Sequence, residues 1–326
     1  MGLFDLPVEK LFTYTGRNPR PLDFDEYWDK ALAEMASLDP KPVLEKAAFE
    51  HPALDSFHLT FTSTCGAHIY AKYMRPKVIK GKLPAILCFH GYSGASEGWT
   101  ALSCWAGAGF CVAALDVRGQ GGRSEDVGGV SGNTLQGQII RGLDELDPNK
   151  LLFRHIFLDT ALLARVVSAF PEVDASRLAA RGGSQGGGLT MACAALADIK
   201  AAAPVYPFLS DYQRVWELDL AEDAYVELKQ YFRRFDPNHR RREEIFTKLG
   251  YIDIQHLAPR IKGKVHMFTG LMDKICPPST QFACYNKISS PKEVTFYPDF
   301  GHEHLPDMDD MVLQWFVQEL KPSMPL

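Results

Sequence analysis

The feature that most constrains the fold of this chain is a cluster of glycines around one serine. Residues 182–188 read Gly-Gly-Ser-Gln-Gly-Gly-Gly, with Ser184 in third place. A short apolar run, residues 177–180, precedes the cluster, and the helix-prone residues 189–195 follow it. Small residues on both sides of a serine permit a strand-to-helix turn that is too sharp for larger side chains. The pattern therefore predicts a nucleophilic serine, with an incidental serine in a glycine-rich turn as the alternative.

Short apolar runs that alternate with helical patterns predict the sheet around this turn. Residues 155–170 and 304–320 carry apolar side chains at helical spacing. Residues 57–62 and 68–73 predict an antiparallel hairpin ahead of the sheet. Strands connected through helices run parallel, and their sheet is covered on both faces, so we predict an α/β fold. The apolar runs are 85–89, 110–115, 177–180, 265–269 and 293–297.

Two regions depart from this alternation within a predicted single domain of residues 1–326. Residues 1–50 are predicted to form an N-terminal helical arm, in which Asp23 and Glu26 are spaced like a capping box. Residues 207–262 are polar and helix-prone. We interpret this second region as an insertion over the edge of the sheet, ahead of the strand that carries the predicted catalytic acid.

Composition excludes several functional classes. The chain has 35 basic and 40 acidic residues, a net charge of −5 and no long basic run, which is unlike a dedicated nucleic-acid binder. No stretch approaches the roughly 18 apolar residues of a membrane span, and no basic, apolar leader opens the sequence. The seven cysteines are scattered without a Cys-x-x-Cys pair, which favours neither a zinc site nor disulfides. We expect a reduced, cytoplasmic protein that binds neither nucleic acid nor membrane.

A nucleophilic serine of this kind needs an acid and a histidine later in the chain, in that order. His302 follows an apolar run and is the predicted base; His304, the competitor, is expected to begin the final helix. Asp273 follows another apolar run and is the predicted acid. Asp299 is the alternative acid, although its closeness to His302 would make it an awkward orienting group.

The predicted oxyanion hole combines two backbone N–H groups. One belongs to Gln185, directly after the nucleophile, and the other to Tyr92, in the loop that follows an earlier strand. His90 in the same loop is interpreted as a brace rather than a base. Arg118 either binds a substrate carboxylate or braces neighbouring loops, and the second interpretation is favoured. Glu303 is interpreted as structural rather than catalytic.

A bulky segment predicts the wall of the acyl pocket. Residues 201–203 form a possible strand that leads into Pro-Val-Tyr-Pro-Phe. Tyr206 and Pro207 in this segment are candidates for a shallow pocket that accepts acetyl and excludes long acyl chains. The alternative is that Tyr206 and Phe208 only pack beneath the insertion.

Taken together, these motifs resemble the acetyl xylan esterase / cephalosporin C deacetylase family, carbohydrate esterase family seven. The resemblance implies an α/β-hydrolase fold, a triad of Ser184, Asp273 and His302, and an oxyanion hole from Tyr92 and Gln185. The residues that carry it are Arg-Gly-Gln at 118–120, Gly-x-Ser-Gln-Gly at 182–186, His-Glu at 302–303, and the stretches 23–28, 132–135 and 141–144.

The resemblance also implies what the protein does. It implies supporting roles for Arg118, Gln120 and Glu303, and removal of acetyl groups from small sugars or xylo-oligosaccharides and often from cephalosporin C. No metal or organic cofactor is expected. A homo-oligomer is expected, and by family analogy it is a hexamer. Two alternatives stay open: a prolyl-oligopeptidase-type peptidase, because Gly186 and Gly187 also follow such serines, and a non-catalytic binding protein on the same fold.

Overall fold

In a computed structural model of the chain, which describes residues 5–130, 138–220 and 223–322, one mixed β-sheet organises the fold. The motif stretch 132–135 lies outside the described residues. The sheet order is β1-β2-β3-β5-β4-β6-β7-β8-β9; the first three strands pair antiparallel and the rest run parallel. The strands are β1 Val43–Lys46, β2 Leu54–Thr62, β3 His68–Pro76, β4 Leu83–Phe89, β5 Cys111–Leu115, β6 Val173–Gly183, β7 Ala201–Val205, β8 Lys264–Gly270 and β9 Lys292–Tyr297.

Helices cover both faces of the sheet, which confirms the predicted α/β architecture. Successive residues of a strand point to opposite faces, and Leu87 and Ile86 of β4 accordingly belong to two separate hydrophobic cores. Helices α4 and α5 pack in the first core, and α3 and α11 in the second. The helices are α1 Val8–Leu11, α2 Phe24–Ser37, α3 Trp99–Gly107, α4 Leu152–Ser168, α5 Gln185–Leu196, α6 Tyr212–Glu217, α7 Val226–Phe235, α8 Arg242–Leu249, α9 Ile254–Leu257, α10 Pro278–Tyr285 and α11 Met308–Leu320.

The predicted capping box at the start of α2 is wrong, although a helix does begin there. Asp23 precedes the helix with φ −94° and ψ 16°, and its side chain does not cap it. Its carboxylate instead accepts a hydrogen bond from the Tyr251 hydroxyl, and Glu26 pairs with Lys30 one turn later. A tertiary contact with the insertion therefore replaces the local cap that the spacing predicts.

The final helix also begins later than predicted. His304 lies in an exposed loop, and α11 starts only at Met308. Pro306 explains the delay, because a proline disfavours helical backbone at the residue before it, here Leu305.

Buried carboxylates join the N-terminal arm to the insertion. Asp211 accepts hydrogen bonds from the Tyr14 hydroxyl at 2.7 Å and from the backbone N–H groups of Arg17 at 3.0 Å and Asn18 at 2.8 Å. Its own backbone N–H donates to Asp253 at 3.0 Å, and both carboxylates are fully buried. The arm is thus held against the domain by polar contacts as well as by its apolar face. No helix within the described ranges is both long and apolar enough to cross a membrane.

This cluster predicts a pH-dependent stability. Burial, together with the neighbouring Asp211, raises the pKa of Asp253 to about 7. The pKa of an aspartate in an unfolded chain is about 4. The folded protein therefore binds more protons across that window, and the stability contributed by this group falls as the pH rises from about 4 to about 7. We expect the difference in free energy of unfolding between the native protein and Asp253→Asn to shrink as the pH rises over that range. The urea midpoints of the two proteins, measured at each pH, give this difference.

Asp174 supplies the matched control. The Ser176 hydroxyl and the Arg177 guanidinium lower the pKa of Asp174 to about 2, so this carboxylate stays ionised in the folded state throughout the same window. The stability difference for Asp174→Asn should therefore stay nearly flat above about pH 5, where the unfolded group is ionised as well. A difference for Asp253→Asn that grows with pH would contradict the buried, proton-retaining carboxyl.

Candidate active site

The strand-to-helix turn predicted from the glycine cluster lies at the centre of the sheet. Strand β6 ends at Gly183 and helix α5 begins at Gln185, with Ser184 between them at φ 58° and ψ −120°. A positive φ is uncommon for a residue with a side chain and marks a constrained backbone. The turn is held by the Ser184 backbone N–H, which donates to the carbonyl of Val205 at 3.0 Å. The serine hydroxyl is thereby presented at the carboxyl edge of the parallel strands.

Close backbone approaches explain the glycines around the serine. A Cβ on Gly182 would lie 2.5 Å, and one on Gly186 2.1 Å, from the carbonyl oxygen of Phe89 in β4. A Cβ on Gly187 would lie 2.6 Å from the carbonyl oxygen of Val205 in β7. These are backbone atoms of neighbouring strands and cannot move aside, so the turn tolerates no side chain at these positions.

Ser184, His302 and Asp273 form one chain of hydrogen bonds. His302 Nε2 lies 2.9 Å from Ser184 Oγ, and His302 Nδ1 lies 2.8 Å from Asp273 Oδ2. Asp273 is fully buried, and its other oxygen accepts from the backbone N–H groups of Ile275 at 2.9 Å and Cys276 at 2.8 Å. An ionised carboxylate at Nδ1 places the imidazole proton there and leaves Nε2 free to accept the serine proton.

The competing acid and base lie elsewhere. Asp299 and His304 are exposed, and within the described residues neither side chain makes a hydrogen bond to Ser184 or His302. Glu303, also exposed, accepts from the backbone N–H of Gly301 at 2.9 Å. Its carboxylate thus holds the turn that carries His302 rather than joining the hydrogen-bonded chain.

The two predicted oxyanion donors remain available for a ligand. Among the described residues, the backbone N–H groups of Tyr92 and Gln185 donate to no protein acceptor. His90 braces the Tyr92 loop: its Nε2 accepts from the Val117 N–H at 2.9 Å, and its Nδ1 lies 2.7 Å from the carbonyl of Gly91. Burial lowers the pKa of His90 and keeps it neutral in this role.

The supporting residues hold loops around the site. Arg118 is fully buried and binds Asp159 through Nε and Nη2, both at 2.6 Å, and within the described residues it makes no hydrogen bond to Ser184, so it acts as a brace. The side-chain amides of Gln120 and Gln185 pair face to face, with N–O distances of 2.6 and 2.9 Å. This pair fixes the first residue of α5, whose backbone N–H is one predicted oxyanion donor.

The bulky segment after β7 contains residues in both of the places considered for it, beside the site and in the core beneath the insertion. The half-buried ring of Tyr206 lies against the imidazole of His302, with ring centroids 4.5 Å apart, and so borders the site. Pro207 is buried against Gly187 of α5. Phe208 is fully buried against Tyr225 of the insertion, with centroids 4.3 Å apart.

Two site neighbours, Glu227 and Cys276, were not predicted from the sequence. The Cys276 thiol is fully buried, and its Sγ lies within 4.8 Å of ligand atoms of Asp273 and His302. Glu227 binds the hydroxyl of Tyr92. Glu227 lies 135 positions from its partner, and no local pattern indicates such a contact. For Cys276 a signal existed, because it comes three residues after the predicted acid in the same loop.

The cysteine also raises the question of a metal. The ligand atoms of Asp273, Cys276 and His302 lie within 4.8 Å of one another. The Cys276 thiol is fully buried, and burial raises its pKa well above the ordinary value. Asp273 already accepts three hydrogen bonds. The arrangement therefore suits proton transfer from Ser184 to His302, with Asp273 as the orienting carboxylate, better than metal binding.

The sheet, its helices and the nucleophile turn define an α/β-hydrolase. The family model described as acetyl xylan esterase (AXE1) matches residues 1–319. The chain therefore belongs to the acetyl xylan esterase family, which confirms the resemblance seen in its motifs.

Individual relatives agree with this assignment. Acetyl xylan esterase 1 from Thermoanaerobacterium sp. JW/SL YS485 is 55% identical, with a TM-score of 0.94 over 96% of this chain and 99% of that one. An acetyl xylan esterase from Paenibacillus sp. R4 is 36% identical, with a TM-score of 0.92 over 97% and 100%. Acetyl esterase Axe7A from Xylanibacter ruminicola is 26% identical over 320 residues, covering 96% of this chain and 70% of that protein.

Proposed function

We propose that this chain is a serine esterase that removes acetyl groups from the hydroxyls of small acetylated sugars or xylo-oligosaccharides. The hydrogen-bonded chain from Ser184 through His302 to the buried Asp273 carries the proposal, because it supplies a nucleophile, a base and an orienting acid. Family membership and the similarity to acetyl xylan esterases and an acetyl esterase support acetyl as the acyl group. The family match does not favour the peptidase or the non-catalytic alternative.

The proposed reaction proceeds in two halves. His302 takes the proton of Ser184 as Oγ attacks the acetyl carbonyl, and Asp273 stabilises the imidazolium. The N–H groups of Tyr92 and Gln185 stabilise the oxyanion of the tetrahedral intermediate, where one donor contributes about 3–4 kcal/mol. His302 then returns the proton to the leaving alcohol. Water, activated by the same histidine, hydrolyses the acetyl-enzyme and regenerates Ser184.

The acyl side of the site supports a small substituent. Tyr206 lies against His302, so a bulky side chain stands beside the proposed base, whereas Phe208 packs in the core beneath the insertion. We infer that Tyr206 and Pro207 limit the acyl chain, whereas the alcohol is less restricted. Cephalosporin C as a further substrate, and a homo-oligomeric state, stay predictions from the family resemblance.

A comparison of acyl chains tests the proposed function. We expect kcat/KM to be clearly highest on p-nitrophenyl acetate, lower on the butyrate and lowest on the octanoate. A lipase-like pocket would instead gain about 0.8 kcal/mol for each buried CH₂. A preference for octanoate would overturn the proposal. A panel of acetylated xylo-oligosaccharides and other acetylated sugars then identifies the alcohol, by release of acetate.

A further inference from the structure

The contact between Glu227 and Tyr92 links the insertion to the oxyanion hole. We propose that Glu227 is a positioning residue, which holds the Tyr92 loop so that its backbone N–H points to the developing oxyanion. This inference rests on the proposed esterase function and extends it to a residue of the insertion, outside the catalytic chain.

The carboxylate of Glu227 is a buried hydrogen-bond acceptor. It lies in the first turn of α7, and only 1% of it is exposed. Its carboxylate accepts from the Tyr92 hydroxyl at 2.5 Å, from the Gln138 N–H at 3.0 Å and from the Ile140 N–H at 3.4 Å. A buried carboxylate is tolerated only where donors satisfy it, so these partners are held firmly in return.

His90 braces the start of the Tyr92 loop, the Gly121 N–H donates to the carbonyl of Gly94 at 2.9 Å, and the Tyr92 side chain adds two further contacts. It reads His-Gly-Tyr-Ser-Gly, in which Gly91 and Gly94 enclose Tyr92 and Ser93, and Ser93 has a φ of 58°. The Tyr92 ring packs against Phe208, with centroids 5.7 Å apart, and the Phe208 N–H donates to the carbonyl of Ser184 at 3.0 Å. The ring is thus tied to the nucleophile turn, while the hydroxyl is tied to Glu227. Together the two contacts set the loop relative to Ser184.

A polar network connects Glu227 to the second oxyanion donor as well. The backbone of Gln138 donates to Glu227, and its side-chain oxygen accepts from Gln120 at 3.4 Å. Gln120 in turn pairs with the amide of Gln185. Tyr92 and Gln185, whose N–H groups form the predicted oxyanion hole, therefore belong to one hydrogen-bond network that includes Glu227.

The replacement Glu227→Gln tests the proposal. Glutamine keeps the size of the side chain, but its NH₂ group cannot accept a hydrogen bond. Facing Gln138 or Ile140 it opposes a backbone N–H, and facing Tyr92 it forces the hydroxyl to accept instead of donating to a carboxylate. A misplacement of about 1 Å can cost about 100-fold in rate, and loss of one oxyanion donor about 100- to 1,000-fold. We expect kcat on p-nitrophenyl acetate to fall about 10- to 100-fold, with KM changed by no more than about threefold.

A second readout separates positioning from a merely structural role. A trifluoromethyl ketone forms a tetrahedral oxyanion on the serine, and its affinity should weaken by about the factor lost in kcat. Tyr231→Phe is the matched control: Tyr231 lies in the same helix, and its hydroxyl binds a different carboxylate, that of Asp144. Within the described residues the Tyr231 hydroxyl makes no hydrogen bond to the Tyr92 loop, so this control should leave kcat and inhibitor affinity within about twofold, whatever its melting temperature.

The partner variant Tyr92→Phe completes the test, because it removes the hydroxyl but keeps the ring and the backbone N–H. If Glu227 acts through Tyr92, the double variant should be little slower than the slower single variant. Unchanged kcat in Glu227→Gln, or fully additive losses, would overturn the inference. Should Glu227→Gln fail to fold, unchanged kcat and inhibitor affinity in Tyr92→Phe would overturn it equally. Native protein without acetyl esterase activity would instead overturn the proposed function, and this inference with it.

Discussion

Replacing Ser184 with alanine should lower kcat/KM for acetyl ester hydrolysis by about 10⁴- to 10⁶-fold, the range found when a triad nucleophile is removed. Oγ is the atom that would form the acetyl-enzyme, and the neighbouring thiol of Cys276 is buried and held protonated. It therefore offers no substitute nucleophile. Rates on p-nitrophenyl acetate, measured at several enzyme concentrations, give the comparison.

The fold should survive this substitution. The alanine keeps the backbone at position 184, and the hydrogen bond from its N–H to Val205 does not involve the side chain. Ser56→Ala is the control, since its buried hydroxyl has no hydrogen-bond partner among the described residues. Both variants should unfold at nearly the native urea midpoint, and only Ser184→Ala should be inactive. A folded Ser184→Ala that keeps more than about a tenth of the activity would remove Ser184 from the mechanism.

Replacing Asp273 with asparagine should cost about 10⁴-fold in kcat, the loss typical of a wrong histidine tautomer. Asp273 Oδ1 accepts from two backbone N–H groups and Oδ2 from the imidazole. An asparagine NH₂ group must oppose a donor in either orientation. If it faces the backbone, the loop is strained; if it faces His302, the proton moves to Nε2 and the base is lost.

Asp299→Asn is the matched control, because Asp299 is the alternative acid and lies between the final strand and His302. It is exposed and makes no hydrogen bond to His302 within the described part of the chain. Its replacement should leave kcat/KM within about twofold, since surface substitutions away from a site have small effects. A large loss in Asp299→Asn, with Asp273→Asn nearly active, would reverse the two assignments.

The central sheet could be predicted because its strands are buried on both faces. Such strands appear in the sequence as continuous apolar runs, and β4 and β5 are buried at every position. The edge strand β1, Val43–Lys46, was not predicted, because all four of its residues are exposed and no burial pattern marks them. The wrong details at Asp23 and His304 have local causes, a tertiary contact with Tyr251 and the proline at position 306.

The candidate site could be predicted where its residues follow strands. Ser184, Asp273 and His302 each come after a strand that ends at the same edge of the sheet, so chain order and strand ends sufficed to place them together. Glu227 could not be found in this way. It lies on a helix of the insertion, and the sequence does not indicate onto which part of the sheet an insertion of this length folds.

The role of Ser184 is tested most directly by mapping where a fluorophosphonate reacts. The native protein is treated with the reagent, acetyl ester hydrolysis is followed as it is lost, and the modified peptide is identified by mass spectrometry. We predict one adduct per chain, on Ser184, that rises in proportion to the activity lost and is absent from Ser184→Ala. Complete loss of activity with Ser184 unmodified, or no reaction with the active protein, would contradict an acetyl esterase that works through this serine.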